Sequence, residues 1–177
     1  MKNLFLFLLM AAATTIISCK GEQGIPGPAG VAGQDGKDGE NGNGNIVSTT
    51  FELNYTDWVA VSNYEYKATL MVPILTQDIV DKGLVMVYLK SPYLLGLDNS
   101  NWYVLPFTLA REYYTESFAF STKLNQLTLV DTSNDGVPFK PSGKVRVVAA
   151  TADGLARNPD LDWTNYEAVK SALGLED

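Results

Sequence analysis

Residues 64–72 read Tyr-Glu-Tyr-Lys-Ala-Thr-Leu-Met-Val. Tyr64, Tyr66, Ala68, Leu70 and Val72 alternate with Glu65, Lys67, Thr69 and Met71. A period of two is the signature of a strand with one face buried and the other wet. Pro73, which lacks a backbone donor, ends it. Toward the N-terminus, Val47, Thr49, Phe51, Leu53 and Tyr55 share the face of another strand, residues 57–61 begin a short one, and Ser62-Asn63 reads as a turn. Toward the C-terminus, Thr76 caps one turn of helix through Lys82, with Gly83 as its stop. Residues 84–89, Leu-Val-Met-Val-Tyr-Leu, are apolar on both faces, which predicts a central strand.

The same reading extends to the end of the chain. Ser91-Pro92 and residues 96–101 are loop, and residues 102–107 form a strand interrupted by Pro106, hence at an edge or a bulge. Residues 113–122 and 124–130 predict a hairpin pair and residues 131–136 a turn. Residues 144–151 are the last strand, with Val145, Val147 and Ala149 on one face. Thr164-x-x-Glu167 is a capping box before Ala168, Val169, Ala172 and Leu173, a short helix closed by Gly174. Six or seven strands and a single late helix predict an all-β fold: one β-sandwich-like head over residues 45–177 with a short C-terminal helix.

A different grammar precedes the head. Glycine falls at 21, 24, 27, 30, 33, 36, 39 and 42, and the phase breaks at Gly44. Eight glycines in phase do not arise by chance at a usual frequency of about 7%. Glycine every third residue with proline between is the collagen pattern, because only glycine fits on the axis of three wound chains. The unbroken phase and the adjacent Pro26 and Pro28 favour a triple helix through residues 21–44. Its shortness, its two prolines, and Glu22, Asp35, Asp38 and Glu40 against Lys37 alone disfavour one, since like charges held close repel. A homotrimer and a monomeric extended spacer both remain open readings. In either, at about 3.1 Å per residue, the stalk reaches roughly 70 Å.

The first eighteen residues are a leader. Lys2 supplies a positive start, and residues 4–13 are an apolar run too short to span a bilayer. Ile16-Ile17-Ser18-Cys19 resembles a bacterial lipobox, which predicts cleavage before Cys19 and acylation of its sulfur with diacylglycerol and palmitate-type chains. The chain then divides into residues 1–18 (removed), 19–20 (lipid-anchored start), 21–44 (stalk) and 45–177 (head).

Composition narrows the chemistry. The net charge is −7, one unit more negative once Lys2 is removed, and the basic residues are scattered. That argues against nucleic acid, which needs clustered Lys and Arg. It also makes the lipid, and not a basic patch, the membrane anchor. The chain has no histidine, so a Ser-His-Asp triad and His-ligated metal sites are excluded. Cys19 is its one cysteine, and acylation removes it from thiol, metal and disulfide chemistry. No cofactor, metal or catalytic residue is expected, and the chain is not read as an enzyme.

The full order of parts resembles the collagen-like lipoproteins frequent in Bacteroidota-type bacteria. It includes lipobox, Gly-x-x tract and β-rich head, with WYVLP at 102–106, KVRVVAATAD at 144–153 and LDWTNYEAVKSALG at 161–174. The resemblance implies an outer-membrane address and no reaction. Cys19-Lys20-Gly21-Glu22 matches only part of the export signal of surface lipoproteins, which leaves cell-surface and periplasm-facing attachment both open.

Three sets of head residues are candidates for a site. Asp131, Asn134, Asp135 and Gly136 carry oxygens for calcium, but their spacing fits a solvated turn better. Trp58, Trp102, Tyr103, Tyr113, Tyr114 and Trp163 include aromatics able to stack on sugar rings. Tyr113 and Tyr114 are the best pair, because adjacent strand residues face opposite ways and one points outward. Glu112, Glu116, Asp160 and Asp162 are carboxylates from which a glycosidase pair could be drawn, with nothing in the spacing to fix one. Adhesion or structural display comes first among the functions, glycan binding second, and a carboxylate-based hydrolase a distant third. The partners are the membrane, a glycan or an extracellular protein.

Overall fold

A computed structural model describes residues 45–94 and 97–176. The leader, Cys19 and the glycine tract lie outside the described residues. Nine strands are described: β1 (Ile46–Leu53), β2 (Trp58–Ser62), β3 (Glu65–Met71), β4 (Leu84–Lys90), β5 (Tyr103–Val104), β6 (Phe107–Ala110), β7 (Thr115–Lys123), β8 (Gln126–Ser133) and β9 (Gly143–Ala150). They form two antiparallel sheets, ordered β1-β9-β4-β5 and β2-β3-β8-β7-β6. The described residues also form three short α-helices, α1 (Gln77–Lys82), α2 (Ala152–Arg157) and α3 (Tyr166–Leu173), and a 3-10 turn at Tyr55–Asp57. The architecture is therefore mostly β and sandwich-like.

The alternations in the sequence choose which side chains enter the space between the sheets. Ala68, Phe118, Leu127 and Leu129 come from the five-stranded sheet. Leu53, Val87, Leu89, Val145, Val147 and Ala149 come from the four-stranded one. Full burial of a Val or Leu contributes roughly 1.5–3 kcal/mol each. Residues 84–90 do form a central strand, between β9 and β5. Pro106 sits where the chain leaves β5, the outermost strand of one sheet, and joins the other as β6, its outermost strand. Both flanking strands are edges, the positions that tolerate a residue without a backbone donor.

A second apolar layer covers the outer face of the four-stranded sheet. Tyr88, Val148 and Ala150 are buried there with Trp102, Tyr166 and Val169, so α3 is the lid. Arg146 is buried among them, 7% exposed. Its guanidinium stacks 4.8 Å from the Trp102 ring and 5.6 Å from the Tyr166 ring. It donates to Thr50 Oγ1 at 2.8 Å, to the Tyr166 hydroxyl and to the Glu176 carbonyl. Burying a cation is tolerable only when its donors are used, and these bonds use them while fastening the C-terminal segment. The Tyr88 hydroxyl donates to the Trp163 carbonyl at 2.6 Å, and burial pushes this phenol well above its ordinary range.

Several local expectations are corrected. The described strands number nine, not six or seven. The late helix is not the only one, because α1 and α2 accompany it. Its cap is Asn165, whose side chain accepts from the Ala168 N–H at 3.2 Å; the Thr164 hydroxyl instead donates to Asp162 Oδ1 at 2.7 Å. The alternative turn won because Asp162 competes locally for the hydroxyl. Helix α2 follows β9 directly, and the Thr151 hydroxyl accepts from the Gly154 N–H. Tyr113 and Tyr114 lie in the turn between β6 and β7 and not in a strand. Asp131 lies inside β8 and not in a turn.

Gly83 tests the junction between α1 and the sheet. A Cβ there would collide with the Ala150 carbonyl oxygen and approach that of Ile79. Both are backbone atoms that cannot rotate away. Gly83→Ala is expected to cost roughly 2–4 kcal/mol, read as a lower urea midpoint with an unchanged slope.

Candidate functional site

Strands β7 and β8 carry their inward residues in register. Phe118 faces Asp131 and Glu116 faces Ser133, so Glu116 and Asp131 are diagonal neighbours on the inner face. Both are buried, Glu116 at 2% and Asp131 at 0% exposure. Above them runs the connection between β8 and β9, residues 134–142. Its Phe139 N–H donates to Glu116 Oε1 at 2.6 Å, and its Lys140 N–H donates to Asp131 Oδ2 at 2.9 Å. Two adjacent backbone donors thus hold two adjacent carboxyls.

The remaining oxygens determine the protonation. Asp131 Oδ1 meets no N–H or O–H donor of another group. It belongs to a carboxyl that lies beside the buried Glu116 carboxyl, so ionising both would set two like charges side by side. Burial raises the Asp131 carboxyl to about 7, against the pull of the Lys140 N–H and ammonium and with the help of the Glu116 charge. Burial also raises Glu116, opposed by the Phe139 N–H and the Arg111 charge. Burial of two neighbouring carboxyls thus disfavours ionising both.

Around this pair, one end of the five-stranded sheet gathers aromatics. Lys140, at φ 59°, places its Nζ 4.1 Å from the Tyr55 ring centroid and 4.4 Å from that of Tyr66. Hydrogen bonding to Tyr55 is the largest cause holding this ammonium above its usual range. Trp58 Nε1 donates to the Pro141 carbonyl at 2.8 Å, the Ser133 N–H to the Tyr64 carbonyl at 3.0 Å, and the Thr115 N–H to Asn134 Oδ1 at 2.6 Å. The β2–β3 and β6–β7 turns are thereby drawn up beside the 134–142 connection. Tyr55, Tyr64, Tyr113 and Phe139 remain exposed, Tyr113 most of all at 80%.

The sequence candidates fare unevenly. Tyr113 is exposed and bonded to Glu112, whereas Tyr114 is half-buried. They flank the aromatic end without forming its centre. The calcium group does not converge: Asp131 points into the core, Asn134 caps Thr115, and Gly136 stands clear at φ 95°. No group of three or more metal-ligating side chains exists among the described residues. Trp58 and Trp102 are core residues, and Trp163 and Tyr103 are half-buried. Among the carboxylates, Glu116 does have a partner, and it is Asp131. Asp162 is taken by Thr164, and Glu112 and Asp160 are exposed. The Glu116–Asp131 pair had a signal in the sequence: Leu127 and Leu129 point inward, and one more step of period two makes Asp131 inward as well.

By its fold this is a mostly β protein of two antiparallel sheets with a helical cover. Comparison of the chain with protein-family models, curated sequences and solved structures finds no match.

The raised carboxyl has a signed consequence. The folded Asp131 holds its proton to about pH 7, while an unfolded aspartate releases it near pH 4. The folded state therefore binds more protons between these values, and stability falls as pH rises from about 4 to about 7, then levels. The loss is at most on the order of 4 kcal/mol. In Asp131→Asn the amide keeps an acceptor for Lys140 and gains a donor toward Glu116. Urea titrations from pH 4 to 8 should show the slope in the wild type and a much flatter line in the variant.

Proposed function

We propose that the chain is a lipid-anchored outer-membrane protein that displays its β-sandwich-like head on a collagen-like stalk, in an adhesive or structural role. The observation that carries this is the order of the N-terminal parts: a lipobox ending at Cys19, followed within two residues by eight glycines in phase. The compact head beginning at Ile46 supports it, since β1 starts directly where the repeat stops. Acylation of Cys19 is tested by metabolic labelling with palmitate. The wild type should take up label and remain in the membrane fraction; Cys19→Ser should do neither, and labelled Cys19→Ser would refute the anchor.

A second reading is glycan capture. It is favoured by the exposed Tyr55 held against the Lys140 ammonium. Catalysis finds no such support, because the converging carboxyls Glu116 and Asp131 are sealed from solvent.

Assembly follows from the weakness of the stalk. Three chains would bring together twelve carboxylates and three lysines over residues 21–44. Residues 45–177 alone should be a folded monomer. Residues 20–177 should be monomeric, or a weak trimer that melts well below the head and is strengthened by salt, which screens the repulsion. Light scattering and circular dichroism at low and high salt decide it; a heat-stable trimer of residues 45–177 would show instead that the head drives assembly.

A further inference from the structure

Lys140 is positioned more tightly than an ordinary loop lysine. It adopts φ 59°, which a residue with a Cβ visits only when its surroundings impose it. The imposition is visible. Its N–H is held by the buried Asp131 carboxyl, and its Nζ is held over Tyr55 and Tyr66. Neither ion pair found among the described residues involves it. A flexible cation is thus pinned between two rings without a carboxylate as its salt-bridge partner.

The position along the molecule adds to this. Leu53 pairs with Gly143 at one end of β1, and Ile46 pairs with Ala150 at the other. Tyr55 and Lys140 follow and precede the Leu53–Gly143 end, while the chain enters the head at the Ile46 end. The pinned ammonium therefore occupies the pole opposite the point of attachment, about 25 Å of strand away.

We propose that this pole is a binding site for acidic saccharides. The Lys140 ammonium takes the carboxylate or sulfate of the sugar, and the tyrosines meet the sugar ring. A tyrosine offers an apolar face and a hydrogen-bonding tip, which matches a sugar with its C–H face and hydroxyl edge. Phe139, exposed and next to Lys140 in the chain, offers a further apolar surface. The remainder of the chain is acidic, so the attraction is local and should weaken with salt. The inference rests on the glycan-capture reading and adds to it the ligand class and the residue that selects it.

The test uses the full mature chain, purified in detergent, on surfaces bearing polygalacturonate, dextran sulfate, neutral dextran or polyglutamate. The wild type should bind at least one acidic polysaccharide about tenfold more tightly than dextran. Lys140→Asn, which tolerates the same backbone angle, should lose about that tenfold while its circular dichroism remains that of the folded head. Tyr55→Ser, at an exposed position, should weaken binding while leaving the fold intact. Whether uronate or sulfate is preferred separates the two sources of charge, and either supports the site. Binding of Lys140→Asn equal to wild type overturns the proposal. So does polyglutamate binding as tight as that of the polysaccharides, which would point to an acidic polypeptide. Tight binding of neutral dextran regardless of Lys140 would sink the proposal and leave glycan capture standing; binding of no polysaccharide at all would sink both.

Discussion

Val145, Val147 and Ala149 leave β9 on one side, and Arg146, Val148 and Ala150 leave it on the other; both sides are buried. A strand in this position must be covered twice. The five-stranded sheet supplies one cover, and α3 with Trp102 supplies the second. β9 also pairs along its whole length with β1 on one edge and from Lys144 to Ala150 with β4 on the other. Each remaining part of the head is thus placed by contact with this strand or by contact with something that covers it. The buried arginine fits the same logic: an inner strand with one buried charge needs a set of acceptors brought to it, and Thr50, Tyr166 and Glu176 are brought by β1, α3 and the C-terminal segment.

The connection into β9 is held by different chemistry. Residues 134–142 have little apolar material facing inward apart from Pro138 and Pro141, which are buried. Their attachment comes from backbone N–H groups on buried carboxyls, from the Trp58 indole on the Pro141 carbonyl, and from the Lys140 side chain on two tyrosines. Interactions of this kind fix direction as well as proximity, because a hydrogen bond fails when its angle does. A loop fastened in this way can present a side chain at a defined place on an otherwise wet surface.

The strands were legible where one face is apolar and the other polar, as at β3, and where both are apolar, as at β4. Thr76 and Gly83 marked α1 at both ends because capping chemistry is local. Four things were not read from the sequence. The two-residue β5 is too short to have a period. The choice between Thr164 and Asn165 as cap depended on Asp162, a competitor that a motif does not weigh. Asp131 looked like part of a polar turn because aspartate is seldom buried, and the donor that meets it, the Lys140 N–H, lies nine residues away. The aromatic end was hidden for the same reason. Tyr55, Tyr66 and Lys140 come from three separate segments, and only the pairing of β3 with β8 and the fastening of the connection bring them together.

The register of β1 on β9 also has a mechanical meaning. The chain enters the head at Ile46, and Tyr55 and Lys140 lie at the other end of the same strand pair. A pull between those two points runs along β1 and slides it past β9, so the rungs from Ile46–Ala150 to Leu53–Gly143 resist together. A strand tugged sideways would open one rung at a time, and the same bonds would yield in succession. Tension between Ile46 and Lys140 therefore loads the β1–β9 rungs in parallel and not one after another.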